Sequence, residues 1–179
     1  ESESESESES ESESESESGC IRARRNFGMT RRAEPGMKIM ESRNFVYPLR
    51  IYYEDTDAAG MVYYANYLKF MERARTEWLR SLGFAHSRMV ETHGVAFVAR
   101  SAAVEYLRPA RLDDALEVVN TLESLGRAQV VFDQRVRRGE EILATGRMRI
   151  ACVDPGCGRP VALPASLHAL FARLLPESN

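Results

Sequence analysis

One stretch with helical periodicity stands in a chain that otherwise reads as strands, and this asymmetry limits the fold more than any other feature. From Tyr67 to Leu82, apolar side chains recur at Tyr67, Phe70, Met71, Ala74, Trp78, Leu79 and Leu82, the three-and-four spacing of one buried helix face. Lys69, Arg73, Arg75, Glu77 and Arg80 fall largely on the other face. Asn66 stands where an N-cap is expected, and Gly83 where the helix should stop. Before this helix, Phe45 to Tyr53 is rich in aromatic and branched residues and predicts a strand, with Pro48 arguing for a sheet edge. After it, strands are predicted at Ala96–Tyr106, Leu116–Leu122, Ala128–Val136 and Ile142–Val153. The joints at Pro109–Asp114, Ser124–Arg127 and Arg138–Glu140 are short and polar, as antiparallel hairpins require. Pro155, Gly156, Gly158 and Pro160 end the sheet, and a short helix from Pro164 to about Leu174 closes the chain. The expected class is α+β, an antiparallel five-stranded sheet wrapped around one long central helix. One helix cannot cover the edges of such a sheet, so pairing into a homodimer or homotetramer is expected.

The beginning of the chain obeys different rules. Residues 1–18 alternate Glu and Ser without an apolar side chain and cannot build a core. They hold nine of the 27 acidic residues, leaving 18 acidic against 24 basic, so the rest of the chain is net positive by about six. Ile21 to Arg43 is basic and lacks a sustained apolar period, and Met29, Met37 and Met40 each offer a native start. The expected division is a tail over residues 1–43, disordered or foreign to the native chain, and one domain over 44–179. A basic tail can meet nucleic acid or an anionic membrane, but a solvated arm is the simpler reading, and no nucleic-acid partner is expected. There is no apolar run long enough for a transmembrane helix and no signal-peptide pattern. Cys20, Cys152 and Cys157 are odd in number and form no CxxC pair, so neither a disulfide framework nor a zinc site is expected, and a cytoplasmic location fits.

Polar chemistry gathers between the first strand and the long helix, in YEDTDAAGMVYYANY over residues 53–67. Acids beside a helix start have a bland explanation, since they gain about 0.3–1 kcal/mol from its partial positive charge. The combination says more. A helix N-terminus offers unpaired N–H groups that stabilise an oxyanion, a nearby Asp serves as nucleophile or general base, and Ala58, Ala59 and Gly60 let backbone approach a ligand. These are the minimum parts for acyl transfer.

The run YEDTDAAGMVYYANYLKFMERARTEWL resembles the 4-hydroxybenzoyl-CoA thioesterase family, most closely its Tol-Pal-associated acyl-CoA thioesterase branch. The resemblance continues through VAFVARSAAVEYLRPARLDD to ACVDPGCGRPVALP, from about residue 46 to 165. It implies a hotdog fold, hydrolysis of acyl-CoA to free acid and coenzyme A, oligomers built from dimers, and a site at the dimer interface. Asp57 matches the family's catalytic aspartate, and Tyr64 the position whose backbone N–H polarises the thioester carbonyl. Many Tol-Pal-associated members carry His where this chain has Tyr64, which is neutral at pH 7 with a reference pKa near 10, so an Asp–His mechanism is disfavoured. Gly60, Val62, Asn66 and Glu72 are the expected substrate contacts, Asn66 doubling as a cap and Glu72 matching a recurrent family glutamate.

Other candidates have plainer readings. Glu77 is expected to pair with Arg, and His86, His93 and His168 to be surface or loop residues without metal-ligand spacing. Arg100, Arg108 and Arg111 suit coenzyme A phosphates or local acids, and Gly156-Cys157-Gly158 is a turn. No cofactor or metal is expected. Two competing functions stay open at this stage. One is a dehydratase acting on hydroxyacyl thioesters, which would need a His that the run lacks. The other is a non-catalytic module that binds acyl-CoA or acyl-carrier protein, or serves an envelope complex.

Overall fold

The computed structural model describes residues 43–176; of the tail expected over 1–43, only Arg43 falls among them. In chain order the elements are β1 (Asn44–Arg50), α1 (Asn66–Ser81), α2 (His86–His93), β2 (Ala96–Tyr106), β3 (Ala115–Leu125), β4 (Gln129–Arg138), β5 (Glu141–Val153) and α3 (Ala165–Leu174). The five strands make one antiparallel sheet in the order β1-β3-β4-β5-β2. β1 is an edge, as Pro48 leads one to expect.

Strand alternation and helix period meet in one core. β3 turns Leu116, Val118 and Leu122 inward, β4 adds Phe132 and Val136, and β5 adds Ala144 and Met148. Against them α1 lays Tyr67, Phe70, Met71, Ala74, Trp78 and Leu79. Burying each large apolar side chain contributes roughly 1.5–3 kcal/mol, so this face stabilises the helix far more than propensity does. Trp78 is the centre of an aromatic group, 6.0 Å from Phe45, 5.9 Å from Phe132 and 6.3 Å from Phe171. Gly146 lets the helix approach, because a Cβ there would stand 2.6 Å from the Met71 sulfur. Gly83, with φ 89°, follows the end of α1 as a left-handed stop.

Three expectations need correction. The segment 107–114 is not a hairpin turn, since β2 and β3 lie three positions apart in the sheet. It crosses from the β2 edge to the strand beside β1, about 14 Å at ~4.8 Å per strand, within reach of eight residues. A short polar joint looks the same in either role, because the pairing is decided elsewhere. The loop expected after α1 contains a helix, α2, so His86 and His93 are helical. Asn66 is not an N-cap: Ala65 holds that position, and Asn66 is the first helical residue with its side chain turned inward.

β2 carries an irregularity between Ala99 and Ser101. It switches the side-chain parity, so that Phe97 on one side and Val104 and Tyr106 on the other all turn toward the core or α1. Apart from this, β2 is largely exposed, and its edge away from β5 is unpaired among the described residues.

Candidate active site

The link between β1 and α1 is a small two-stranded turn. Thr56 bridges Val62, the Asp57 N–H donates to the Met61 carbonyl at 2.8 Å, and the Gly60 N–H donates to the Asp57 carbonyl at 2.9 Å. Gly60 takes φ 69°, which an L side chain rarely adopts. Asp57 Oδ1 accepts the Ala59 N–H at 2.9 Å and the Met61 N–H at 3.4 Å, a side-chain-to-backbone closure typical of Asp in turns. Oδ2 has no partner among the described residues, and Asp57 is exposed in the single protomer.

Asp55 fixes this turn to the helix. Its carbonyl accepts both the Tyr63 N–H and Asn66 Nδ2 at 2.9 Å, while its buried carboxylate accepts the Tyr52 N–H at 3.0 Å. The Asn66 N–H donates to the Tyr63 carbonyl at 2.8 Å, so residues 63–66 form one further turn leading into α1. Within it, the N–H groups of Tyr64 and Ala65 find no acceptor among the described residues. An unpaired pair of amides at a helix opening can receive negative charge.

Aromatic side chains support this opening from beneath. The Tyr106 hydroxyl donates to the Tyr64 carbonyl at 3.1 Å, and its ring lies 5.5 Å from Tyr67 and 6.2 Å from Tyr64. The Tyr67 hydroxyl accepts the Ala110 N–H at 3.0 Å, and burial pushes that phenol above its ordinary value. The crossing segment thus grips the loop, with the Val62 N–H donating to the Ala110 carbonyl at 2.9 Å.

A cavity of about 170 Å³ lies elsewhere, along the second half of α1. Its floor includes the cross-strand row Ala99, Ile150 and Val130, in which Ala99 leaves room that a larger side chain would fill. Phe97, Phe132 and Phe171 add apolar wall, and Glu72, Arg75, Thr76 and His86 supply the polar side. Thr76 Oγ1 donates to Glu72 Oε1 at 2.7 Å. Burial pushes the His86 imidazole below its ordinary value; Glu72 opposes that shift, and Arg75 and Arg80 add to it.

The expected site residues therefore divide into two places. Asp57, Gly60, Tyr64 and Asn66 share the loop and helix opening, with the Asn66 amide engaged by Asp55. Val62 is in the same turn but its side chain is buried in the core. Glu72 belongs to the cavity instead, and Asp57 does not line that cavity. Sequence reasoning missed Arg75, Thr76, His86 and Ala99; the one available signal was Arg75, in register with the apolar face of α1 at Met71 and Trp78. Of the arginines, Arg108 pairs with Glu141 at 3.3 Å, and Arg100 borders a second, shallower hollow with Arg127. Among the described residues no cluster of His, Cys, Asp and Glu could hold a metal, and no helix is long and apolar enough to cross a membrane.

Comparison with known proteins decides the family. A model of the thioesterase superfamily matches residues 59–145. The acyl-CoA thioesterase YbgC of Haemophilus influenzae is 43% identical over 135 residues, spanning 75% of this chain and 99% of that protein. This chain belongs to the thioesterase superfamily. It is a thioester hydrolase, and its sheet wrapped on α1 is the hotdog fold. This thioesterase is also 45% identical to the acyl-CoA thioester hydrolase YbgC of Escherichia coli O6:H1 over 133 residues, 74% of this chain and 98% of that one. Among solved structures, a probable thioesterase from Bartonella henselae superposes with a TM-score of 0.65 at 34% identity, covering 68% of this chain and 99% of its own. A 1,4-dihydroxy-2-naphthoyl-CoA thioesterase from Synechocystis, at 23% identity and a TM-score of 0.68 over 72% of this chain and 96% of its own, shares the fold.

Proposed function

We propose that the thioesterase hydrolyses acyl-CoA to the free acid and coenzyme A, with Asp57 as the reacting carboxylate and the Tyr64 N–H as oxyanion donor. The observation that carries this reading is the Asp57 turn, tied through Asp55 to a helix opening with two unpaired amides. Oδ1 is engaged by the turn, which leaves Oδ2 as the outward oxygen. Oδ2 either takes a proton from water, whose oxygen then attacks the thioester carbon, or attacks that carbon itself to form an anhydride that water cleaves. In both routes charge collects on the carbonyl oxygen at the Tyr64 amide, the C–S bond breaks, and the sulfur leaves as thiolate to be protonated. Oxygen-18 water in a single turnover tests the anhydride route, since label in the protein arises only when water opens an anhydride at the Asp57 carbonyl, whereas direct attack by water places it all in the free acid.

The exposed edge of β2 supports a site completed by a second copy. Antiparallel pairing of β2 with its mate about the small residues Ser101 to Ala103 sets the Phe97 end of one copy beside the Tyr106 end of the other. The cavity of one copy then opens toward the Asp57 loop of its partner. We also propose residues 44–179 as the folding unit that carries the activity.

The deciding measurement is thiol release from a panel of acyl-CoAs by the parent and by Asp57→Asn. Loss of at least a hundredfold in kcat is expected, within the range of a general base or nucleophile. Equal turnover by both would remove Asp57 from the mechanism.

A further inference from the structure

Arg75 is the unusual member of the α1 cavity. Gln134 Nε2 donates to the Met71 carbonyl at 2.9 Å and to Asn120 Oδ1, so Gln134 Oε1 is left to accept from Arg75 Nη1. Gln134 and Asn120 are fully buried and face each other across β3 and β4, which makes this a fixed internal support for the guanidinium. A guanidinium carries five N–H donors. Only Nη1 of Arg75 has an acceptor among the described residues, and no carboxylate there pairs with it. Glu72, one turn earlier, already holds Thr76. The remaining Arg75 donors are not sealed from solvent, so they face the open cavity, where a bound oxygen can take the place of water. Consistent with this, burial pushes the Arg75 guanidinium below its ordinary value, Glu72 opposing.

Size narrows the guest. The cavity holds about 170 Å³, and a dry cavity of roughly 150 Å³ admits benzene. A six-carbon group fills such a space, whereas a long alkyl chain does not. The floor of Ala99, Ile150, Val130 and Phe97 is apolar, and the polar groups all project from α1 and α2.

We propose that this cavity receives the acyl group, and that Arg75 selects compact acyl groups ending in an oxygen acceptor over plain hydrocarbon ones. The inference rests on the thioesterase reading above, in which the cavity of one copy faces the Asp57 loop of the other. A terminal hydroxyl accepts from Arg75 and can donate to Glu72, while a terminal carboxylate gains the full charge of Arg75 but meets that of Glu72. Arg75 is thereby a specificity-determining residue and touches the remote end of the substrate, not the reacting atoms.

The test compares kcat/KM for hexanoyl-CoA, 6-hydroxyhexanoyl-CoA and adipoyl-CoA in the parent, Arg75→Lys and Arg75→Met. The parent is expected to favour an oxygen-tipped substrate on the order of tenfold, the effect of one charge-assisted hydrogen bond. Arg75→Met should bring the ratio to near parity and Arg75→Lys should keep part of it. A ratio measured on one preparation is insensitive to the fraction folded, so a merely structural role for Arg75 would not move it. Ala99→Leu, which fills the floor, should lower turnover of all three substrates relative to acetyl-CoA. A parent without preference, an Arg75→Met enzyme that keeps it, or an Ala99→Leu enzyme with unchanged chain-length ratio would overturn the proposal. Failure of the thioesterase reading looks different: either no substrate is hydrolysed, or Asp57→Asn hydrolyses them as the parent does.

Discussion

The two ends of α1 are built on opposite principles. At its opening, structure is made by main chain: amides, carbonyls and one Asp side chain close turns, and Tyr63 and Tyr64 stay largely in solvent. Along its second half, structure is made by side chains: Trp78 packs on Phe132 and Phe171, and these two line the cavity together with Leu79. The first arrangement offers charge stabilisation and little burial. The second offers burial and shape, with polar groups only on one wall. In the reading proposed above, the opening serves the thioester carbonyl and the cavity serves the group it carries, so each end of the helix has its own task.

If this division is right, substitutions at the two ends should separate stability from rate. The largest effect is expected for Trp78→Ala, which empties the aromatic centre and should destabilise the fold by about 3–5 kcal/mol in denaturant unfolding. Next comes Tyr64→Pro. Tyr64 is the second residue of the 63–66 turn, where proline's backbone angle fits, so the fold should survive while the amide is lost. The expected cost is about 2.7–4 kcal/mol in kcat, with thermal unfolding little changed and Tyr64→Phe near the parent. If Tyr64→Phe proved the more damaging of the two, the ring and not the amide would be the working part.

Smaller effects probe the joint between the ends. Asn66→Leu removes one of two donors to the Asp55 carbonyl, at about 1–3 kcal/mol of stability, and should lower kcat as well because the Asp57 turn loosens. The smallest is a pH effect at His86. Its folded value is held below the ordinary 6.5, so in the window beneath 6.5 the unfolded chain binds more protons and stability falls with falling pH. Unfolding curves of His86→Gln should show a flatter slope there; an unchanged slope would mean that His86 is not the group titrating.

These contrasts also mark what was legible in the chain. α1 could be read because its inward positions repeat with the helix, and the β3–β4 and β4–β5 hairpins because their turns are local. The connection between β2 and β3 was misread because no local residue tells a hairpin from a crossing. α2 escaped notice since only Met89 among its eight residues is buried, too little for a period to emerge. The acidic loop was visible as a cluster within a few positions. The cavity was not, because its lining comes from six elements that contribute one to four residues each.

The crossing segment 107–114 carries a consequence for how such a chain can vary. Ala110 is bonded both to the Val62 amide and to the Tyr67 hydroxyl, and Asp114 accepts the Ile51 N–H at 3.0 Å, so this span sets the height of the Asp57 loop above the sheet. A residue inserted in the tip near Gly139 would add slack to a hairpin whose ties to the crossing segment are the side-chain pairs Arg138–Asp114 and Arg108–Glu141, which can follow a change of length. One inserted between Leu107 and Asp114 would let the loop ride up and drift from the helix opening. Tolerance to length change should therefore be high at the hairpin tips and low here, where Ala110 is fully buried.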